Sequence, residues 1–168
     1  MQAAEVILDS QGGRIEVWPH GRPANGAHFR FEWFLAPRTA GLPEHFHPHQ
    51  EERLQVISGR LSVRLEGQEL ALGPGDRLVI SAGTRHSCGN SGPAQAQVRG
   101  EFIPGLDIHR FFQAFFAIER SHRGFRRLLA WALLCAQEPE HIGFGPRIHL
   151  PVRLTAGLAR RVGYRPTR

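Results

Sequence analysis

Up to about Ile103 the sequence runs in short alternating or apolar stretches, and this rhythm constrains the fold more than any other feature. The stretches fall at 14–18, 28–36, 53–57, 61–66, 77–80 and 94–103, separated by Gly, Pro and Asn. Alternation with a period of two puts every second side chain on one face, which is the signature of a half-buried strand. Ser58-Gly59 and Glu66-Gly67-Gln68 read as tight turns between neighbouring antiparallel strands. Many short strands at close spacing predict a sandwich or a barrel.

After Pro104 the period changes. Asp107 is placed to cap a helix with Ile108, Phe111, Phe112 and Phe115 on one face. Ser121 is placed to cap a second, striped by Phe125, Leu128, Leu129, Ala132 and Leu133. Residues 137–150 look irregular, holding Pro139, Gly143, Gly145 and Pro146. Pro151 suits the start of a last helix that ends before Gly163. The expected division is a β-barrel over 1–104 and a helical extension over 105–168, packed on the barrel or on a partner subunit.

The chain has 168 residues and 18.8 kDa, 41% of it apolar, which suits one domain or one with an elaboration. No segment within 1–13 has the basic and apolar regions of a signal peptide. The longest apolar run, residues 128–136, is far short of the roughly 20 residues that span a bilayer. A cytoplasmic location is therefore expected, with no membrane partner. Cys88 and Cys135 are then expected as free thiols. All 21 Lys+Arg residues are arginine. The net charge is −1 through Pro104 and +7 from Gly105 onward, together the +6 of the whole chain. The basic residues of the last segment (Arg147, Arg153, Arg160, Arg161, Arg165, Arg168) are scattered and follow no helix-turn-helix pattern, so nucleic-acid binding is not expected.

Within the strand-like region, His45-Phe46-His47 is followed by Glu52, and His86 lies on a run much farther along. On a strand, residues i and i+2 share a face, so His45 and His47 point the same way. Glu52 opens the next strand, with Leu54 and Val56 as its further inward positions. Closing the sheet brings His86 opposite. Three imidazoles and one carboxylate are the donor set of a mononuclear transition-metal site, and they suit Fe, Mn, Zn, Ni or Cu alike.

These intervals resemble the two motifs of the cupin family. The first pairs His-x-His with Glu and then Gly, as His45, His47, Glu52 and Gly59 do here; its leading Gly departs from the pattern, since only three residues separate Gly41 from His45. The second is met by Gly75, Gly83, His86 and Asn90, with Ser81 where the family prefers Pro. The motifs cover about 41–90, and the strand pattern extends the likeness across 14–103. The tail, through the Gly163 to Pro166 run, resembles the helical extension of some small single-domain cupins. The resemblance implies a jelly-roll β-barrel followed by short C-terminal helices, one divalent transition-metal ion per chain, a small-molecule ligand in the barrel, and a homodimer. In that family the carboxylate matching Glu52 binds the metal, swings off it or serves as a base.

Other polar residues carry plainer readings. His49 follows Pro48 and reads as a loop residue, with a gating role as the alternative. Cys88 shares the face of His86, where it is read as pocket lining, with ligand and nucleophile as alternatives. Arg30, Glu32, Gln55 and Arg64 are either pocket polar groups or solvent-face residues. The phenylalanines at 111, 112, 115 and 116 are expected to pack on the barrel or on a second subunit.

Two classes of function follow. The first is a metal-dependent enzyme of dioxygenase or isomerase type, with His45, His47, His86 and Glu52 at the metal and Glu52 also the candidate catalytic base. Family frequency ranks oxygenase slightly ahead. The second is a non-catalytic binding or sensor module whose metal is structural.

Overall fold

The structure, a computed structural model, describes residues 4–8, 12–17 and 28–161. The remaining residues lie outside it, including Trp18, Arg165, Arg168 and the Gly163 to Pro166 run. Among the described residues nine strands come first: β1 Glu5–Leu8, β2 Arg14–Val17, β3 Phe29–Leu35, β4 Glu51–Ser58, β5 Leu61–Leu65, β6 Gln68–Leu72, β7 Arg77–Ile80, β8 His86–Gly89 and β9 Ala96–Ile103. Three helices follow: α1 Ile108–Ser121, α2 Gly124–Gln137 and α3 Pro146–Arg161.

The strands form a six-stranded antiparallel sheet in the order β1-β2-β3-β9-β4-β7 and a three-stranded sheet in the order β6-β5-β8. Leu54, Val56, Ile80 and Val98 from the first meet Leu61, Val63 and Cys88 from the second in one buried cluster. The sheets therefore face each other in jelly-roll fashion. Among the described residues no ladder joins them into a closed barrel, so the barrel expected from the sequence is an open pair of sheets.

Period-two patterning decides which side chains go inside. In β4, Glu52, Leu54 and Val56 are buried while Arg53 is exposed, as their parity predicts. The Glu66-Gly67 turn joins β5 to β6, with Leu65 opposite Gln68 and positive φ at both turn residues (48° and 83°). That is the mirror-image turn whose twist matches a hairpin. Ser58-Gly59 differs from its sequence reading. β4 pairs with β7 and β9 while β5 pairs with β6 and β8, so this turn crosses between sheets instead of closing a hairpin.

The helices share the core of the larger sheet. Phe111, Phe112, Phe115 and Phe116 of α1 join Phe29, Phe31 and Phe102 in a single apolar cluster with residues of α2 and α3. Each ring so buried contributes about 2–3 kcal/mol. The phenylalanine face is thus covered by its own chain. Gln50, itself buried, donates from Nε2 to the carbonyls of Pro104 (3.0 Å) and Gly105 (3.2 Å), pinning the crossover from β9 to α1.

Two helix starts differ from the sequence reading, and a third lacks the cap bond expected of it. Asp107 sits at the N-cap of α1 but makes no side-chain cap hydrogen bond. Ser121 is the last residue of α1 and donates back to the Ala117 carbonyl (2.7 Å), leaving Arg123 before α2. The last helix begins at Pro146, with Pro151 inside it. Either proline fits a first turn, where the missing N–H costs nothing, and the earlier one takes that place.

Candidate metal centre

His45 and His47 sit on a short segment that is bridged on both sides. His45 exchanges two backbone hydrogen bonds with His86 (2.8 and 2.7 Å), and Phe46 exchanges two with Gly143 (3.0 and 2.8 Å). His45 and His47 are buried on one face while Phe46 points the other way. Glu52 comes from β4 in the six-stranded sheet, and His86 from β8 in the three-stranded sheet. Three of the residues named from the sequence, His45, His47 and His86, therefore converge between the sheets, with Glu52 beside them.

The backbone decides which ring nitrogens are available. His45 Nδ1 lies 2.8 Å from the Pro43 carbonyl, His47 Nδ1 2.5 Å from that of His141, and His86 Nδ1 2.9 Å from that of Thr84. A carbonyl oxygen only accepts, so each Nδ1 carries the proton and donates. The lone pair of each neutral ring is then on Nε2. The three rings lie 4.5–5.4 Å apart by centroid, and their ligand atoms fall within 4.8 Å of one another. Phe102 sets its ring against His47 at 4.9 Å, nearly edge-on.

Glu52 borders this group on the His86 side. Its Oε2 is 3.0 Å from His86 Nε2 and 3.9 Å from His47 Nε2. Neither Glu52 Oε2 nor His86 Nε2 has a hydrogen-bond partner, so the 3.0 Å approach is close but not aligned. With the His86 Nε2 lone pair turned toward the carboxylate, two acceptors held this close repel each other unless a proton or a cation lies between them. Leaving such atoms unsatisfied costs about 1–3 kcal/mol each, and a cation would satisfy both. The donor set, its orientation and these orphaned atoms fit a divalent transition metal.

Electrostatics keep most of the set deprotonated. Burial, reinforced by the neighbouring imidazoles, lowers His45 to about 3. Burial also lowers His47. At His86 burial acts downward, but the Glu52 carboxylate outweighs it and the net direction is up. Burial would raise Glu52, yet the three imidazoles outweigh it and hold the carboxyl below its usual range.

A cavity of about 360 Å³ opens onto the imidazoles and Glu52. Cys88 lines it, and burial raises that thiol far above its ordinary range, which suits lining and not a thiolate. His49 is exposed in the bend after Pro48. Arg30, Glu32 and Arg64 pair with Glu101, Arg99 and Glu69 away from the cavity. Asn90 is a knot: buried, it donates to the carbonyls of Leu35, Ala36 and Ala94 and accepts from the Gly92 N–H. Ser81, in the family's proline position, closes a turn through its carbonyl to the Thr84 N–H (3.1 Å). Sequence reasoning missed His141 and Gly143, which act through their backbones.

Residues 31–108 match the cupin domain family model. The chain is similar to the tetracenomycin polyketide synthase protein TcmJ of Streptomyces glaucescens, 36% identical over 70 residues, which are 42% of this chain and 46% of that protein. It is also similar to quercetin 2,3-dioxygenase of Bacillus subtilis, 31% identical over 80 residues, 48% of this chain and 22% of that enzyme. The matches span less than half the length of these relatives. Two solved structures share the fold. KdgF from a Halomonas species has a TM-score of 0.54 at 21% identity, covering 62% of this chain and 92% of that one. An RmlC-like cupin from Shewanella frigidimarina has a TM-score of 0.52 at 17% identity, covering 63% and 88%.

Proposed function

We propose, from the chain's membership of the cupin superfamily, that it is a metal-dependent enzyme acting on a small organic molecule held between the sheets. His45, His47 and His86 would hold one divalent transition-metal ion, with Glu52 as a fourth ligand or as a base beside it. The observation that carries this reading is the convergence of three Nε2 lone pairs at the inner end of a cavity. A bound metal would supply Lewis-acid or oxygen chemistry at that end.

The residues supply the rest. The carbonyls of Pro43, His141 and Thr84 orient the imidazoles. Glu52, held as a carboxylate, is placed to take a proton from a bound molecule. Largely apolar walls surround the reacting end. A structural metal would be closed off by four protein ligands, whereas here a cavity reaches the triad, which favours catalysis over a sensor role. Oxygenase chemistry ranks ahead of isomerisation on the likeness to a quercetin dioxygenase. A homodimer belongs to this reading as well, since Phe125, Leu128, Leu154 and Leu158 leave apolar surface on α2 and α3.

Elemental analysis of wild type and the His47→Ala and His86→Ala variants tests the assignment. About one metal per wild-type chain and loss of it in both variants is expected. Full occupancy in both variants overturns the site.

A further inference from the structure

The walls of the cavity carry information about what it holds. From the sheets come Phe31, Trp33 and Phe102, and from the helices Phe112, Phe115 and Trp131. Between the imidazole end and the mouth no lining side chain is charged. Thr39 also lines the cavity, but its hydroxyl already donates to the Ala36 carbonyl. At the mouth Glu119 and Arg127 lie 3.5 Å apart, each offsetting the charge of the other. Polar capacity is thus concentrated at one end, and the body of the cavity offers ring faces and edges.

We infer that this cavity takes a planar aromatic molecule of one or two rings bearing a single phenolic or enolic oxygen, and that α1 and α2 select it. The inference deepens the functional reading above and rests on it for the end where the oxygen sits. A polyol would lose its water to walls that return no hydrogen bonds. A ring system gives up little and gains offset and edge contacts with the surrounding aromatics. A volume of about 360 Å³ lies at the low end of small-molecule sites, which limits the body to few rings. The matched cupin region ends at residue 108. Five of the eight phenylalanine and tryptophan residues of the wall, including Phe112 and Trp131, therefore come from a segment outside it, so the extension carries the selectivity.

The test uses full-length protein, both stripped with chelator and loaded with zinc. Binding of 2-naphthol is read by quenching of the tryptophan fluorescence, since Trp33 and Trp131 line the cavity. Its saturated counterpart, decahydro-2-naphthol, and D-gluconate are compared by calorimetry. Wild type should bind 2-naphthol at least tenfold tighter than gluconate in both forms, and tighter than the saturated alcohol. Phe112→Leu keeps an apolar side chain but removes a ring, and should reduce the preference for 2-naphthol over the saturated alcohol at least threefold. Near-ultraviolet circular dichroism checks that the variant is folded. Gluconate binding as tightly as 2-naphthol overturns the ligand class, and an unchanged preference in a folded Phe112→Leu protein overturns selection by the helices. Zinc uptake without naphthol binding removes this inference and leaves the metal reading standing. Naphthol binding without zinc uptake does the reverse.

Discussion

His47 Nδ1 donates to the backbone carbonyl of His141 at 2.5 Å, across 94 positions of sequence. A candidate ligand of the jelly roll is thereby oriented by the segment that follows α2. The same segment is held by the Phe46–Gly143 bridge, where a Cβ on Gly143 would lie 2.3 Å from the Phe46 ring. The extension is therefore built into the candidate metal centre.

The seam can be strained without touching a ligand. Gly143→Ala should force Phe46 or the 141–143 segment to move and cost about 1–3 kcal/mol of stability, the usual range for overpacking. Because the His141 carbonyl moves with it, zinc affinity should fall as well. Urea unfolding and competition with a zinc chelator measure the two effects. Unchanged values in both would show that the seam yields freely.

Glu52→Gln keeps the shape of the side chain and removes its charge. The pull that raises His86 disappears, so the imidazole should titrate lower, a shift visible by NMR. If Glu52 is a ligand, metal affinity should drop about 10- to 100-fold, the scale on which metal sites respond to lost partners. If it is only a base, metal is retained and turnover alone is lost.

Acid should destabilise the metal-free protein through His45. Its folded value of about 3 lies below the unfolded 6.5, so the unfolded chain binds more protons between these limits. The stability concerned is complete above pH 6.5 and lost as pH falls toward 3, a contribution on the order of 5 kcal/mol. His86, raised in the folded state, has the opposite sign: its contribution is present below 6.5 and lost as pH rises through its folded value. Urea midpoints at pH 7 and pH 5 should fall further for wild type than for His45→Asn. Equal slopes in the two proteins would exclude His45 as the source.

Both cysteines should be unreactive in the folded state. Burial pushes Cys135 up to about 12 and Cys88 well above its usual range, so neither supplies thiolate at pH 8. Ellman's reagent should therefore label two thiols per chain only after denaturation. Rapid labelling of one thiol in native protein would show that the cavity admits the reagent to Cys88.

Much of this architecture was legible because it follows local rules. Parity along β4 placed Glu52 with Leu54 and Val56, the Glu66-Gly67 pair announced its hairpin, and the phenylalanine spacing located the buried face of α1. Pairing between distant strands leaves no local trace. Ser58-Gly59 looks like a hairpin turn, and only the partners of β4 and β5 reveal a crossing between sheets. The exposure of Phe125 at 62% and Leu128 at 48% was hidden for a similar reason, since a helical stripe does not say how wide its partner surface is. His141 and Gly143 escaped notice because every residue has a carbonyl and an amide. Their contribution depends on position, which composition cannot encode.

Because two of the four candidate donors come from different sheets, the site is also a gauge of the sandwich. Glu52 rides on β4 and His86 on β8, and the distance between their facing atoms is set by how the sheets are seated, not by either strand alone. A substitution far away that slid one sheet by a fraction of an ångström would register there first. Metal affinity in this chain should then track the register of the two sheets, and a library of core variants could be ranked by it without unfolding a single one.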